Sequence, residues 1–434
     1  MQTIDKNKLF WASCLALLVT SLSFGIRAGI MEDLMMEFQL SGKQMGLITG
    51  TAFWGFPLAI IIGGMIVDIV GMKRLMVLAF ILHLIGIVLT IFSTGFTSLF
   101  ISTLFIGIAN GTVEAVGNPL VATIYPDKKT TKLNHFHFWF PGGIVIGTLI
   151  SFTFGGMGLG WQWQMAAMIL PTLVYGWMIW KLDFPVTERV SSGISTKAMY
   201  KSMLSPLFIF MFICMLGTAV TELFTNQWVG VLLQNVTSNA ILVLALVVTV
   251  QSVCRAFAEP VFRNTTPSGL LLASAIISTI GLYLLSTMTG NSIFLAAIIF
   301  GIGVAYFWPT MLGFVSENIP ESGAVGINLL GGAGSFAVSF FMFLMGGYYD
   351  KLIASSLPEG AGLETYRSAE VGSPEAMAYM EAQLTAGPQV IQATIVIPMV
   401  LSVAFLFLYL YMQRKKKKSG NQGTLAVVDG KAAV

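Results

Sequence analysis

Ionisable side chains inside long apolar runs are the first candidates for chemistry in this sequence, because a charge in apolar surroundings is expensive and needs a cavity or a partner. Two of them are acids, Glu114 and Glu222, and each is followed four residues later by an asparagine, Asn118 and Asn226. A carboxylate can accept hydrogen bonds from hydroxyl groups or carry a proton. The remaining candidates are basic: Arg27, His83, His135 and His137.

The stretch NGTVEAVGNP places Glu114 in the middle of such a run. Positions i and i+4 are neighbours on an α-helix, so the pattern predicts that Asn110, Glu114 and Asn118 share one helix face. The favoured interpretation is an acid that lines a pore and binds a substrate or carries a proton. The alternative is a structural glutamate that forms hydrogen bonds between helices.

Other polar positions allow more than one interpretation. Gln227 and Trp228 either belong to the same site as the second acid or mark a membrane interface, where tryptophan is common. His83 has apolar neighbours and is interpreted as structural. His135 and His137 have no third metal ligand nearby, so the sequence predicts neither a metal site nor a cofactor.

The composition places these residues in a membrane protein. Of the 434 residues, 56% are hydrophobic and 10% are charged, and the mean hydropathy is +0.81. A soluble domain carries about 25% charged residues. No phosphate-binding loop and no Ser/His/Asp arrangement can be recognised, which argues against an enzyme. Nothing in the sequence suggests a nucleic-acid partner.

Runs long enough to cross a bilayer, about 20 apolar residues each, occur twelve times. The predicted spans are 8–30, 45–67, 75–94, 98–124, 135–157, 163–181, 204–234, 238–259, 268–289, 292–317, 323–346 and 388–412. With both termini inside, eighteen Lys and Arg residues fall in cytoplasmic segments and three in external loops, as the positive-inside rule requires. We therefore expect an all-α, multi-pass protein of a plasma or bacterial inner membrane, with both termini cytoplasmic.

The spans group into two bundles. We expect an N-terminal six-helix bundle at 1–181, a cytoplasmic linker at 182–203 and a C-terminal six-helix bundle at 204–412. Residues 413–434 begin with RKKKK and are expected to form a disordered basic cytoplasmic tail that touches anionic lipid headgroups. The connection 347–387 is expected to be a polar, acidic external loop. A monomer embedded in lipid is expected.

The two bundles align in sequence when the chain is shifted by 194 residues. Identical pairs include Gly107 and Gly301, Pro126 and Pro320, and Asn134 and Asn328. The same shift pairs Glu114 with Trp308, so an acid and an indole are expected to face one central cavity from opposite bundles. This pairing suits a sugar, whose hydroxyls bond to a carboxylate while its C–H face stacks on an aromatic ring.

The connection after the second span reads GMIVDIVGMKR. Gly64, Asp68, Gly71, Lys73 and Arg74 fit the pattern G-x-x-x-D-x-x-G-x-[KR]-[KR], which resembles the signature of the major facilitator transporters. Those transporters consist of two six-helix halves. The resemblance implies alternating access, with this motif as a conformational latch that does not touch the substrate.

Each motif residue has a local physical reason. Gly64 allows two helices to approach closely, Asp68 accepts hydrogen bonds from a neighbouring helix end, and Gly71 permits a tight turn. In the second bundle the matching loop is eroded. Its Arg255 is either a remnant of the motif or a side chain that snorkels to the cytoplasmic surface.

The stretch EAVGNP also resembles a narrower family, the fucose–proton symporters, whose fourth helix carries E-x-x-x-N-P; Glu114, Asn118 and Pro119 match. Further matches downstream are Leu133, Asn134 and Gly143. The chain departs from the family at His137, which replaces a glutamine, and in helix one, where Ala28 replaces a proton-coupling aspartate. The resemblance implies proton-driven uptake of a monosaccharide, with the acid of helix four as a substrate-binding or protonating group.

Rival functions remain open. Arg27 could supply the counter-charge of an organic anion carrier or exchanger, because a guanidinium suits carboxylate recognition, or it could pair with Glu114. A non-transporting sensor on the same scaffold is a third possibility, against which the intact gating motif argues.

The expected site lies between the bundles and is built from helices one, four, five, seven, ten and eleven. The candidate substrate-binding residues are Arg27, Glu114, Asn118, Asn134, His137, Glu222, Asn226, Gln227, Trp308 and Asn328. Glu114 and Glu222 are the candidates for proton coupling.

Overall fold

The computed structural model of the protein describes residues 4–40, 42–233, 240–358, 362–370 and 372–429. These residues form helices and connecting turns, and no strand occurs among them. The helices of the first half and the linker are α1 Lys6–Glu37, α2 Gly42–Val70, α3 Met72–Ile91, α4 Phe96–Ile124, α5 Lys129–His137, α6 Trp139–Gly156, α7 Trp161–Ala166, α8 Ile169–Lys181, α9 Glu188–Ser191 and α10 Thr196–Met203. The second half contains α11 Pro206–Ala219, α12 Thr225–Leu232, α13 Ala240–Ala256, α14 Ala258–Asn264, α15 Pro267–Thr287, α16 Ile293–Val304, α17 Phe307–Asn318, α18 Gly323–Ser356, α19 Leu363–Arg367 and α20 Pro374–Asp429.

Ten helical segments among the described residues are long and apolar enough to cross a membrane, and the bent pair α13 and α14, which meet at 62°, makes an eleventh. The predicted span 163–181 is the exception, because it is divided into α7 and α8. Pro171 has no N–H with which to bond the carbonyl of Ala167, so the helix ladder is interrupted at the boundary between the two.

Two connections differ from the expectation. The segment 347–387 is largely helical rather than a loop, since α18 continues to Ser356, α19 follows, and α20 begins at Pro374. In this structure α20 also includes Arg414, where the sequence predicts a disordered tail. The predicted junction at 234–238 and Lys431 lie outside the described residues. The boundaries of the two halves remain predictions.

The predicted repeat has a counterpart in the helices. The fourth span covers Phe96–Ile124 and its partner Gly290–Asn318, so both ends differ by the 194 residues of the sequence shift. Each is followed by a short 3₁₀ turn that begins at a proline, Pro126–Lys128 and Pro320–Ser322. Helix α4 packs against α1, α2 and α3, and its residues 109–122 are all buried.

A chain of buried polar side chains ties four helices of the first half together. Tyr175 on α8 donates to Nδ1 of His83 (2.7 Å), whose Nε2–H donates to Oδ1 of Asn110 (2.7 Å). Asn110 in turn donates through Nδ2 to Ser23 on α1 (3.0 Å). His83 is fully buried and structural in its contacts. The expectation that Asn110 shares a polar face with Glu114 and Asn118 is wrong: positions eight apart on a helix differ by about 80°, and Asn110 points into the first half.

Replacing Asn110 with alanine should lower stability without affecting ligand binding. The change leaves the Nε2–H of His83 unpaired in the protein interior, which costs about 1–2 kcal/mol. The melting temperature of the detergent-purified variant should fall by several degrees, whereas that of Asn291→Ala, an exposed asparagine, should not change. An unchanged melting temperature in Asn110→Ala would contradict the structural role.

Candidate functional site

Helix α4 contains a proline whose missing N–H leaves a gap in the helix ladder. Pro119 cannot bond the carbonyl of Ala115, four residues earlier. The Nδ2 group of Asn328, on α18 of the second half, donates to this carbonyl at 2.8 Å. Close approach of the two halves is possible here because a Cβ on Gly64 of α2 would lie 2.5 Å from the Cβ of Asn328. The asparagine therefore completes the helix ladder of the other half.

Arg255 on α13 fills two gaps of the same kind. Its Nε donates to the carbonyl of Ala305 at 2.6 Å, and Nη1 donates to the carbonyl of His137 at 3.3 Å. These carbonyls lie four residues before Pro309 and Pro141, respectively, so neither has a ladder partner. The third nitrogen, Nη2, forms an ion pair with Glu222 at 2.6 Å. Arg255 is 2% exposed, and its guanidinium is paired in every direction that the structure describes.

Irregular backbone converges on this guanidinium from four helices. Glu222 lies in a π-helical turn, Val220–Phe224, between α11 and α12. Helix α13 bends immediately after Arg255, α16 and α17 are separated at residues 305–306, and α5 ends at His137. Non-helical backbone is tolerated at membrane depth only where protein buries it or where it lines a cavity, and π-turns are frequent at functional sites. These breaks mark the centre of the molecule as a candidate site.

Helices α12 and α13 form a polar ladder around the ion pair. The first rung is Glu222 with Arg255, and the second joins Nδ2 of Asn226 to Oε1 of Gln251 at 3.4 Å. Both rungs use residues four apart on each helix, which therefore lie on one face. Gln251 is 1% exposed.

A second polar group lies across the gap, on the first half. The Nε2–H of His137 donates to Oδ1 of Asn118 (2.8 Å), and Nδ2 of Asn118 donates to Oε2 of Glu114 (2.6 Å). All three side chains are at least 97% buried. The charge of Arg255 acts electrostatically on both Glu114 and His137, so the two groups form one site. We call Glu114, Asn118, His137, Glu222, Asn226, Gln251 and Arg255 the central cluster.

The region of the central cluster contains buried polar atoms without a hydrogen-bond partner. Oε2 of Glu222 and the Oδ1 atoms of Asn134 and Asn328 are acceptors of this kind, and the pair Asn226 and Gln251 leaves one acceptor and one donor. The amide orientations of Asn134 and Asn328 follow from their Nδ2 groups, which donate to carbonyls. Buried polar atoms are normally paired. A ligand rich in donors would satisfy this set.

Other predicted residues lie around or outside the cluster. Trp308 on α17 is 8% exposed, and its ring lies beside Gly331 of α18. Asn134 donates to Thr310 at 3.3 Å and so joins α5 to α17. Gln227 is exposed on α12, and none of the contacts described for the cluster involves it.

Arg27 lies apart from the cluster. Helical rise places it about 30 Å from the start of α1, whereas Glu114 is about 15 Å from the same end of the bundle. Pairing of Arg27 with Glu114 is therefore wrong. Its guanidinium lies 5.2 Å from the ring centroid of Phe24, which contacts Phe56 of α2 and Phe140 of α6. Arg27 is partly exposed, and among the described residues it forms no ion pair.

Sequence reasoning missed two members of the cluster. Arg255 was expected to be a motif remnant or a snorkelling side chain; snorkelling is wrong, because the side chain is buried in an ion pair. Gln251 was not recognised at all. Two signals were present: their spacing of four residues matches that of Glu222 and Asn226, and each nearby proline leaves a carbonyl that needs a donor.

The predicted gating motif lies at the end of the bundle where α2 meets α3, which we call the loop end. Asp68 accepts hydrogen bonds from Thr187 (2.5 Å) and Arg189 (2.6 Å), at the start of linker helix α9. Gly71 has a φ of +93°, which permits the turn into α3. Lys73 lies 4.0 Å from Asp183, while Arg74 is exposed.

Further polar contacts join the two halves at the loop end. Lys129 is 5% exposed and binds both Glu188 of the linker (2.7 Å) and the carbonyl of Ser316 (3.1 Å). Thr130 donates its N–H and hydroxyl to Glu317 at 2.9 and 2.6 Å. In this conformation the loop end is sealed by the linker and by the ends of α4, α5 and α17.

Removing Arg255 should destabilise the protein far more than removing the whole ion pair. Arg255→Gln leaves Glu222 as a buried charge without a partner, which costs about 3–5 kcal/mol, so the melting temperature should fall strongly. The double variant Glu222→Gln/Arg255→Gln should recover part of the loss. If the double variant is no more stable than Arg255→Gln, carbonyl bonding rather than the ion pair is the dominant contribution of the guanidinium.

Comparison with known proteins supports the same fold. The D-xylose transporter of Levilactobacillus brevis is 24% identical over 172 residues, which cover 39% of this chain and 38% of the relative, so less than half of that protein is matched. The fucose:proton symporter FucP of E. coli has a similar structure, with a TM-score of 0.66 at 12% identity over 90% of this chain and 98% of FucP. The proton:xylose symporter XylE gives a TM-score of 0.70 at 14% identity, over 94% and 95% of the chains.

At such identities the structural likeness concerns the fold alone. Twelve helices in two bundles agree with this fold, in which the divided span of α7 and α8 counts as one. The family model that matches the sequence extends over residues 13–346, most of the chain, and describes transporters rather than enzymes. The chain belongs to the Major Facilitator Superfamily.

Proposed function

We propose that this transporter moves a neutral polyhydroxy solute of monosaccharide size together with protons, by alternating access around the central cluster. The observation that carries the proposal is the surplus of buried acceptors without partners: Oε2 of Glu222 and the Oδ1 atoms of Asn134 and Asn328. Acceptors need donors. Sugar hydroxyls supply donors in several directions, whereas a carboxylate supplies none.

The aromatic side of the site supports the same substrate class. Trp308 lies on α17, and its helix contacts α4, which carries Glu114. An indole offers an apolar face to the C–H side of a sugar ring. The names of the similar proteins, two of them sugar–proton symporters, agree with this class without establishing it.

The two acids are proposed to have different roles. Glu222 has a guanidinium at 2.6 Å and keeps its charge as part of the ion pair. Glu114 has an amide as its hydrogen-bond partner, and the nearest cationic candidate is Nε2 of His137 at 3.9 Å. A buried carboxylate without a close cation is the better place to take up and release a proton. We therefore assign proton coupling to Glu114 and the fixed negative charge to Glu222.

Alternating access requires the seal at the loop end to open. The contacts of Lys129, Thr130 and Asp68 with the linker and the second half would have to break, and so would the bond from Asn328 to Ala115. The excess of Lys and Arg near this end supports a cytoplasmic position for it. The seal would then open to release solute into the cytoplasm.

An organic anion is the second candidate, and Arg27 is the observation that favours it. The guanidinium is partly exposed beside Phe24 and has no ion-pair partner among the described residues. Its distance from the cluster along α1 would make it an entrance site rather than part of the same pocket.

Thermal stabilisation separates the two candidates. A ligand that binds only the folded state at a hundred times its Kd adds about 2.7 kcal/mol, so a bound solute should raise the melting temperature measurably. We expect neutral monosaccharides such as D-xylose or L-fucose to do so, and Arg27→Gln to retain the shift. Stabilisation by carboxylates alone, lost in Arg27→Gln but kept in the exposed control Arg263→Gln, would replace the sugar proposal with the anion carrier.

Glu114→Gln tests the coupling role in proteoliposomes. Glutamine resembles the protonated acid, so the variant should exchange the stabilising sugar across the membrane by counterflow but should not accumulate it in a pH gradient. Glu259→Gln, at an exposed acid on α14, serves as the matched control and should behave like the unchanged protein. Accumulation that persists in Glu114→Gln would move proton coupling to another group.

A further inference from the structure

An apolar groove of about 520 Å³ lies on the outer surface of the helix bundle, close to the loop end. Its walls come from α2, α10, α11 and α18, and the lining residues include Ile61, Met65, Phe208, Phe212, Val325 and Leu329. Phe208 and Phe212 belong to the first two turns of α11, and Val325 and Leu329 to the first two turns of α18. The groove therefore starts at the loop end and extends along the helices toward the middle of the membrane.

Linker helix α10 covers the end of this groove and is amphipathic. Met199 and Met203 are buried, whereas Tyr200 and Leu204, which line the groove, are 48% and 74% exposed. With 100° per residue, Lys197 and Leu204 differ by 20°, and Lys201 lies 40° beyond Lys197. The exposed apolar edge of α10 thus continues directly into a pair of lysines.

These two lysines have no acidic partner among the described residues. Other lysines at the loop end do: Lys73 is close to Asp183, Lys128 pairs with Glu259, and Lys129 pairs with Glu188. Lys197 and Lys201 are both exposed, and four residues of helix place them on one face. Two unpaired ammonium groups above an apolar groove form a surface that is positive at its end and apolar along its length.

We propose that this groove binds one anionic phospholipid of the surrounding bilayer, with an acyl chain between α2, α11 and α18 and the phosphate beside Lys197 and Lys201. The groove opens to the membrane, so a bilayer lipid reaches it without crossing protein. Charge complementarity selects an anionic headgroup, since each lysine near a membrane surface contributes about 1 kcal/mol toward anionic lipid.

The site connects lipid binding to the position of the two halves. Ile61 and Met65 belong to the first half, Val325 and Leu329 to the second, and Tyr200 to the linker between them. Any movement of α2 against α18 changes the width of the groove. A ligand shifts a conformational equilibrium by its difference in affinity for the two states. A lipid that fits this conformation stabilises the state in which the loop end is sealed.

The headgroup part of the proposal is tested on the detergent-purified full chain by native mass spectrometry and by melting temperature, with dioleoyl-phosphatidylglycerol and dioleoyl-phosphatidylcholine as probes. We expect phosphatidylglycerol to bind more tightly and to raise the melting temperature more. Lys197→Gln/Lys201→Gln should weaken phosphatidylglycerol binding about thirtyfold, which is the equivalent of two lysines at about 1 kcal/mol each.

Lys181→Gln/Arg263→Gln is the matched control, because it removes two exposed positive charges from the same end. It should leave phosphatidylglycerol binding unchanged. Equal losses in the two double variants would mean that net surface charge, not this site, attracts the lipid, and would overturn the proposal. So would equal binding of the two phospholipids.

The acyl-chain part needs a separate measurement. A phosphatidylglycerol with a photoreactive diazirine in its acyl chain should label peptides from α10 and α11, and Ile209→Trp, a bulky residue at a half-exposed groove position, should reduce that labelling. Glycerophosphoglycerol, which has the headgroup and no chains, should not compete. Labelling spread evenly over all membrane-facing helices, or full competition by the headgroup alone, would contradict an acyl-chain groove.

Discussion

The guanidinium of Arg255 is the group on which the centre of this protein depends. It is 2% exposed, yet it is saturated by one carboxylate and two backbone carbonyls. A buried charge is tolerable only with such pairing. Because the carbonyl of His137 belongs to the first half and Glu222 and Ala305 to the second, a single side chain holds the irregular ends of helices from both halves together.

Proline explains why those carbonyls are free. Each of Pro119, Pro141 and Pro309 removes one hydrogen bond from its own helix, and a polar side chain, Asn328 or Arg255, replaces it. Water is absent from the membrane interior, so an unpaired carbonyl there would be costly. The prolines therefore create positions at which one helix must bond to another, and at two of them the bond crosses between halves. Bonds of this kind can be broken and re-formed without unfolding a helix.

Much of the fold follows from the sequence alone, and the site follows in part. Length and polarity identify the membrane-crossing runs, and the shift of 194 residues reappears in the ends of two helices. The i, i+4 rule brings Glu114 to Asn118 correctly but fails for Asn110, where eight residues of helix have turned the side chain away. Pairing is beyond local rules: Arg255 contacts residues 33 and 118 positions away. Only a contact across the fold distinguishes a buried arginine from one that reaches the surface.

The two acids at the centre show why environment rather than residue type assigns a role. Glu114 and Glu222 have the same chemistry and the same asparagine four residues later, but one has an amide partner and the other a guanidinium. The guanidinium also acts on Glu114 across the gap. When the halves move apart, that influence must weaken, because attraction between charges falls with distance. The charge balance at Glu114 is thus linked to the separation of the halves, which is the physical requirement for coupling a proton to the movement of a solute.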